Sequence, residues 1–192
     1  MHRALRVAVA AALGSVPLFI ASHSVADVTI IGNGLAAECS TSATGVANNL
    51  PARNEAEREC TLALEGEALS PHEAAATYVN RGVLYLSGGA VADAGRDFEQ
   101  ALRLEPNLPE ALVDRGAALI AGGHDKDGVD EITRGLALNP TQPEKAYYNR
   151  AVAEERLGDL RSAYFDYLKA SELKPGWPLP KTELARFKVS PP

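Results

Sequence analysis

Three segments of this chain share one spacing of small, large and proline residues, and this repeat limits the fold more than any other feature. In each copy two small residues are followed by a large residue and then by a proline, with copies 34 or 35 residues apart. The members are Gly82, Ala94, Phe98 and Pro106, then Gly116, Gly128, Ile132 and Pro140, then Ala151, Ala163, Tyr167 and Pro175. A period of this length is typical of stacked units that share one continuous core.

Each copy predicts a pair of antiparallel helices. The small residues on both helices allow the two backbones to approach closely. Gly89, Gly123 and Gly158 lie between the helical patterns, where a helix C-cap needs a positive φ. Asp125 and Asp159 follow in the turns, and we expect them to cap the next helix. The proline of each copy ends the second helix.

With its large residues included, the pattern resembles the tetratricopeptide repeat family. The matching residues of the first copy are Tyr78, Gly82, Tyr85, Ala94, Phe98, Ala101 and Pro106. The resemblance extends from Ala75 to Trp177 and implies an all-α fold, an α-solenoid of three helical hairpins. These are unit 1 (75–108), unit 2 (109–142) and unit 3 (144–177).

Units 2 and 3 depart from the family pattern. Gly128 and Gly135 occupy one helix of unit 2 where alanine is usual, and each costs up to about 1 kcal/mol relative to alanine. We therefore expect unit 2 to be the weakest or the most closely packed. Glu154 of unit 3 stands where an aromatic residue is usual, and we expect its carboxylate to reach solvent or a basic partner, because an unpaired buried charge is costly.

An arginine occupies the same place in each unit, and an acid follows it sixteen residues later. A helical hairpin brings residues at this separation together, which predicts one structural ion pair in each unit. The pairs are Arg81–Asp97, Arg115–Glu131 and Arg150–Asp166. The planar guanidinium suits this role because it holds a carboxylate through two hydrogen bonds. A ladder of arginines that binds acidic ligands is the alternative.

Residues 1–26 predict a signal peptide. Arg3 and Arg6 form a basic start, an apolar stretch follows to Ala21, and the small residues Ser24 and Ala26 flank a cleavage pattern. The apolar stretch is short for a membrane span, and an uncleaved anchor is the alternative. We expect a periplasmic or secreted protein with no membrane insertion after cleavage.

The segment before the repeats, residues 27–71, predicts an N-terminal arm and a degenerate helical hairpin that caps the solenoid. Cys39 lies on its first helix, near Gly34–Ser42, and Cys60 lies on its second. Two cysteines in an exported chain indicate a disulfide, which would contribute about 3 kcal/mol for a loop of this length. Two buried free thiols are the alternative.

The segment after the repeats, residues 178–192, predicts a capping helix and a tail. The helix is expected over Pro178–Phe187, with Trp177 and Phe187 packed on unit 3. Terminal segments of this kind cover the exposed face of the last unit in a solenoid.

Charge and motif content argue against nucleic-acid binding and catalysis. The formal net charge is −6, so the chain lacks the basic footprint that nucleic acid requires. After the predicted cleavage the remaining histidines are His72 and His124, which belong to no familiar catalytic or metal-ligand spacing. Residues 32–37 match the dinucleotide fingerprint literally, but no second strand follows. We predict a non-enzymatic protein that binds no cofactor or metal.

The resemblance also implies where a partner would bind. In the family, the first helix of each unit lines a concave groove that holds an extended peptide or a partner helix. Carried over by position, the groove residues are Val79, Asn80, Val83, Val113, Asp114, Ala117, Tyr148, Asn149 and Val152. Val79, Val83 and Asp114 stand where the family's carboxylate clamp needs Lys and Asn, so a hydrophobic helix or strand fits better than an anionic tail.

These features predict a protein–protein interaction scaffold or adaptor outside the cytoplasm, with a protein or peptide as its partner. A self-assembling structural protein, whose solenoid ends stack, is the alternative. The third hypothesis is an enzyme or a metal-binding protein, and it has the least support from the sequence.

Overall fold

Helices make up nearly all of the described chain, in agreement with the predicted all-α solenoid. The computed structural model describes residues 6–9, 34–43 and 49–190, with side chains for 34–43 and 49–188. The elements in chain order are β1 (Arg6–Val9), α1 (Leu35–Ala43), α2 (Leu50–Gly66), α3 (Pro71–Ser87), α4 (Val91–Leu104), α5 (Pro109–Ala121), α6 (Asp125–Ala137), α7 (Pro143–Arg156), α8 (Leu160–Leu173), α9 (Pro178–Leu184) and β2 (Phe187–Ser190).

Each predicted unit is a helical hairpin, formed by α3–α4, α5–α6 and α7–α8. The two helices of each hairpin meet at a glycine in the left-handed region, with φ of 81° at Gly89, 83° at Gly123 and 84° at Gly158. This conformation is costly for a residue with a Cβ, which explains the glycine at each turn. The second helices end two or three residues before the proline of each unit, as predicted.

The helix caps differ from the prediction at one turn. Asp159 is the N-cap of α8 and accepts a hydrogen bond from the Ser162 N–H at 3.1 Å. Asp125 is instead the first residue of α6, and the N-cap position belongs to His124, whose side chain makes no capping hydrogen bond. The expected Asp125 cap is therefore wrong. Asp125 still lies in the first turn, where the helix dipole favours a carboxylate, and it accepts a hydrogen bond from Arg156 at 3.2 Å.

The helices of unit 2 touch through their backbones. A Cβ added at Gly128 would lie 2.8 Å from the carbonyl oxygen of Gly116, and one added at Gly116 would lie 2.9 Å from that of Gly128. A Cβ at Gly135 would come within 3.0 Å of the Pro109 carbonyl oxygen. The glycines of unit 2 therefore allow an approach that alanine would prevent, and of the two expectations for this unit, the structure supports close packing.

Each second helix contributes one large residue to the core clusters of the solenoid. These wedge residues, Phe98, Ile132 and Tyr167, are fully buried. Small residues surround them, including Ala101 and Ala170 on the same helices. Since a solenoid unit buries its second face only against its neighbour, the wedge residues tie the three hairpins into one core.

The N-terminal hairpin is formed by α1 and α2, as predicted. A disulfide joins Cys39 of α1 to Cys60 of α2, and both cysteines are fully buried. The pairing predicted from cysteine number and compartment is therefore confirmed. The carboxylate of Glu67 also accepts hydrogen bonds from the N–H groups of Leu35, at 2.6 Å, and Ala36, at 3.1 Å. These bonds satisfy two of the free N–H groups at the start of α1.

The C-terminal segment is shorter as a helix than predicted. The helix α9 ends at Leu184, and Phe187 lies in β2 rather than on the helix. Trp177 and Phe187 nevertheless pack on unit 3 as expected: Trp177 lies 5.0 Å from Tyr148 and Phe187 lies 5.9 Å from Tyr167, between ring centroids. The strand forms because β2 pairs antiparallel with β1, a contact between the chain's two ends that local helical periodicity does not encode.

The predicted signal peptide lies mostly outside the described residues. Its described part is β1, and cleavage after Ala26 would remove this strand from the mature chain. The predicted arm is described only from Gly34 onward. Residues 34–37 of the fingerprint-like run therefore belong to the described part, and the residues before them lie outside it. None of the described helices combines the length and the apolar character that a membrane span needs.

Candidate interaction surface

The first helices of the three units lie side by side, since α3 contacts α5 and α5 contacts α7. The nine predicted groove residues all lie on these helices, and we call them the inner face. Most of the inner face is buried: Val79, Asn80, Tyr148 and Val152 are fully buried, and Val113, Ala117 and Asn149 are at most 7% exposed. Val83 and Asp114 are partly exposed. The inner face thus presents little apolar surface to solvent.

Several polar atoms of the inner face are buried without a hydrogen-bond partner among the described residues. They are both amide atoms of Asn80, the side-chain oxygen of Asn149 and the hydroxyl of Tyr148. A buried polar group without a partner costs about 1–3 kcal/mol. Native proteins contain few buried polar groups without a hydrogen-bond partner, so each of these atoms needs a structural or functional explanation.

Asp114 and Lys145 place two desolvated charges on the same surface. Burial raises the pKa of Asp114 to about 7, the nearby Lys145 cation opposes this rise and Glu110 adds to it. Burial lowers the pKa of Lys145 to about 8, and Lys174 lowers it further against the effect of Asp114 and Glu144. Within the described chain, neither side chain makes a hydrogen bond or a close ion pair with the other. Near neutral pH both groups are therefore poised between charged and neutral forms.

Lys145 lies on the same first helix as Tyr148 and Asn149, and the groove positions carried over to unit 3 include it. It stands 31 residues after Asp114, at the start of the first helix of the next unit. Neighbouring first helices lie side by side, which brings the middle of α5 near the start of α7.

The three predicted ion pairs are present. Arg81 donates to both carboxylate oxygens of Asp97, at 2.8 and 2.9 Å. Arg150 does the same to Asp166, at 2.6 and 3.0 Å. Arg115 approaches Glu131 through one nitrogen only, at 2.8 Å. The outer two pairs thus have the two-bond geometry that the sequence predicted, and the middle pair does not.

Glu154 lies beside a basic residue, as expected, but it is not satisfied by it. The Arg150 Nε lies 3.8 Å from its carboxylate, the Glu154 side chain is 12% exposed, and its second oxygen is buried without a hydrogen bond in the described structure. Burial raises the pKa of Glu154 to about 8, with Asp166 adding to the rise and Arg150 opposing it. Arg150 lies near both Glu154 and Asp166, and its two hydrogen bonds to a carboxylate go to Asp166.

The described residues give little support to catalytic or cofactor chemistry. The start of α1, where a dinucleotide fold would hold a phosphate, is occupied by the Glu67 carboxylate, and a Cβ at Gly34 would lie 2.3 Å from it. A carboxylate at this position would repel a phosphate. His72 contacts Glu105 at 2.8 Å on the surface, and His124 is exposed in a turn. No group of three or more potential metal ligands occurs within the described ranges.

Comparison with known proteins agrees with the repeat pattern. The tetratricopeptide repeat family model matches residues 75–108 and 144–176, which are units 1 and 3. No curated protein has significant sequence similarity to the chain.

Solved structures share the fold. A MamA crystal structure is 22% identical, with a TM-score of 0.58, and the match covers 71% of this chain and 77% of that one. MamA 41-end from Desulfovibrio magneticus RS-1 is 21% identical, with a TM-score of 0.60 and coverage of 81% and 84%. The first TPR domain of human RPAP3 is 25% identical, with a TM-score of 0.56 and coverage of 60% and 90%. Repeat spacing, hairpin geometry and these matches agree: units 1 and 3 match the tetratricopeptide repeat family, and the described chain shares the fold of these tetratricopeptide repeat structures.

Proposed function

We propose that this chain is an exported, non-enzymatic scaffold that binds a peptide or a partner helix along the inner face. The observation that carries the proposal is a set of polar groups on the first helices. Asn80 and the side-chain oxygen of Asn149 are buried without a hydrogen-bond partner among the described residues, and burial shifts the pKa values of Asp114 and Lys145. These groups lie on three consecutive first helices, along the direction in which an extended partner would run.

The chemistry of these groups suits a peptide backbone. An asparagine amide both donates and accepts hydrogen bonds, Asp114 accepts and Lys145 donates. A partner whose N–H and C=O groups met them would remove the cost of leaving them unpaired. Asn80 and Asn149 are buried, so binding requires neighbouring side chains to move, which is common at interfaces. The partly exposed Val83 and Asp114 provide the point of entry.

Export rests on the sequence of residues 1–26, and we propose the periplasm as the compartment. The buried disulfide is consistent with an oxidising compartment. Mass spectrometry of the chain recovered from cell fractions tests this directly. We expect a mature N-terminus at or near Asp27 in the periplasmic fraction, and an intact N-terminus in the cytoplasm would contradict the proposal.

A crosslinking experiment tests the binding surface. A photo-crosslinking amino acid is placed at Val83, and the matched control places it at Leu104, which is 41% exposed on the second helix of the same unit. We expect a discrete crosslinked partner from position 83, weaker in Asp114→Ala, and none from position 104. Equal products from both positions would overturn the proposal. A crosslinked dimer of the chain itself would instead support self-assembly.

A further inference from the structure

A cavity of about 500 Å³ lies between the second helix of unit 1 and the first helix of unit 2. It is away from the inner face, because Arg115, which lines it, follows Asp114 directly and points about 100° further round α5. Its volume falls within the range of small-molecule sites. Comparison with the preceding junction shows which residue leaves this space open.

Gly95 opens the cavity. It stands three residues before the wedge residue Phe98, and a Cβ built on it would meet nothing within 4 Å. At the same place before their own wedge residues, the N-terminal hairpin has Glu57 and unit 2 has Val129. At the preceding junction Arg53 forms an ion pair with Glu57 at 3.5 Å, and its guanidinium carbon would lie 3.2 Å from a Cβ built on Gly88. Side chains thus fill the preceding junction, and none does so at Gly95.

Arg115, in the wall of the cavity, is held less completely than its counterparts. Arg81 and Arg150 each bond both oxygens of their acid and also reach a threonine of the preceding unit, Thr61 at 3.1 Å and Thr133 at 3.0 Å. At the place of those threonines unit 1 has Glu99, with which Arg115 makes no ion pair in the described structure.

Glu131, the acid beside Arg115, also interacts with a second arginine, Arg134. The Arg115 contact to Glu131, at 2.8 Å, lacks the geometry of a hydrogen bond, and Glu131 accepts a bond from Arg134 at 2.9 Å. The Arg115 side chain is 27% exposed, compared with 16% for Arg81. Most of its donors are therefore available to a ligand in the cavity.

The rest of the lining is apolar with a charged rim. Val91, Ala92, Ala118 and Leu119 supply the apolar surface, and Arg96 and His124 lie at the rim. The acid in the lining, Glu99, is exposed and lies 3.8 Å from Arg103. An apolar floor beside an incompletely paired guanidinium favours a ligand with an apolar body and one anionic end.

We infer that this cavity is a binding site for a small amphiphilic carboxylate, whose carboxylate is received by Arg115 and whose apolar body lies over Gly95. The site is independent of the inner face and of the partner proposed for it. The guanidinium supplies two parallel N–H donors to the carboxylate, and the body of the ligand fills the space that side chains fill at the preceding junction.

Calorimetric titration of the purified chain with three probes tests the site. Decanoate, decanol and decyltrimethylammonium share one alkyl chain and differ in the charge of the head group. We expect saturable binding of decanoate at one site, with decanol at least about tenfold weaker and the cation weaker still. Gly95→Val, which introduces the residue of the next unit, should abolish decanoate binding, and Arg115→Gln should weaken it about tenfold.

Arg161→Gln is the matched control, since it removes an exposed arginine from α8 and should leave decanoate binding unchanged. Urea unfolding of each variant confirms that it is folded at the titration temperature. No saturable binding of decanoate to the wild-type chain would overturn the inference, as would undiminished binding to Gly95→Val. Equal affinity for decanol would show that the anionic end is not recognised, which would also overturn it.

Discussion

Units 1 and 3 match the family model and unit 2 does not, yet all three are the same helical hairpin. Unit 3 separates its helices with the methyl groups of Ala151 and Ala163, both fully buried. Unit 2 replaces them with Gly116 and Gly128, and its backbones touch. A family model scores residue identity, but the fold needs only that the two helices approach closely and leave no void. Unit 2 meets this need without alanine.

The ion pairs differ in the same way and give the largest expected effect. Arg81→Gln leaves Asp97, which is 5% exposed, without its cation, and we expect a loss of about 3 kcal/mol in the free energy of unfolding. Arg115→Gln should cost about 1 kcal/mol, because Glu131 keeps Arg134. Urea unfolding of both variants measures the difference. Equal losses would show that the middle pair is as strong as the outer ones.

Close packing in unit 2 gives the second prediction. Gly128→Ala places a methyl group 2.4 Å from the Ile120 side chain and 2.8 Å from a backbone oxygen. We expect a net loss of about 2 kcal/mol, although alanine favours the helix. The matched control is Gly95→Ala in α4, where nothing lies within 4 Å, and it should gain up to about 1 kcal/mol. A stabilising effect at both positions, measured by urea unfolding, would mean that the unit 2 helices separate at little cost.

The third prediction concerns Glu154 of unit 3, which stands where units 1 and 2 have Tyr85 and Leu119. The pKa of Glu154 is raised from 4.5 to about 8 on folding. A raised carboxyl pKa means that the folded state prefers the protonated form, so stability is lost as pH rises from about 4.5 to about 8. Glu154→Gln should remove this loss and stabilise the chain by about 1–2 kcal/mol at the upper end.

Unfolding at several pH values separates Glu154 from the other shifted groups. Asp114 and Lys145 titrate in both proteins. The difference in the free energy of unfolding between wild type and Glu154→Gln, followed with pH, therefore reports the titration of the Glu154 carboxyl. Glu172→Gln, at a side chain that is 58% exposed, is the control and should leave the pH profile unchanged. Parallel profiles for wild type and Glu154→Gln would show that Arg150 already compensates the charge.

Much of the fold could be predicted because its signals are local. Gly89, Gly123 and Gly158 set the turns through their own φ, and the prolines end helices through their own rings. The disulfide was predicted from two cysteines in a chain expected to be exported, and the structure contains it. The candidate site was harder to predict. The resemblance placed Asn80 and Asn149 on the first helices, but it could not reveal that both side chains are buried and have atoms without a hydrogen-bond partner among the described residues.

The sequence by itself determined the period, the hairpins, the three arginine–acid partners and the cysteine pair, because each depends on residues at a fixed spacing along one or two neighbouring helices. The tertiary structure alone decided how well those partners are satisfied. Whether Arg115 bonds one oxygen or two, whether Glu67 reaches the start of α1, and whether Gly95 leaves a cavity all depend on distances between helices that spacing does not set. Those distances come from the packing of every side chain at a junction at once.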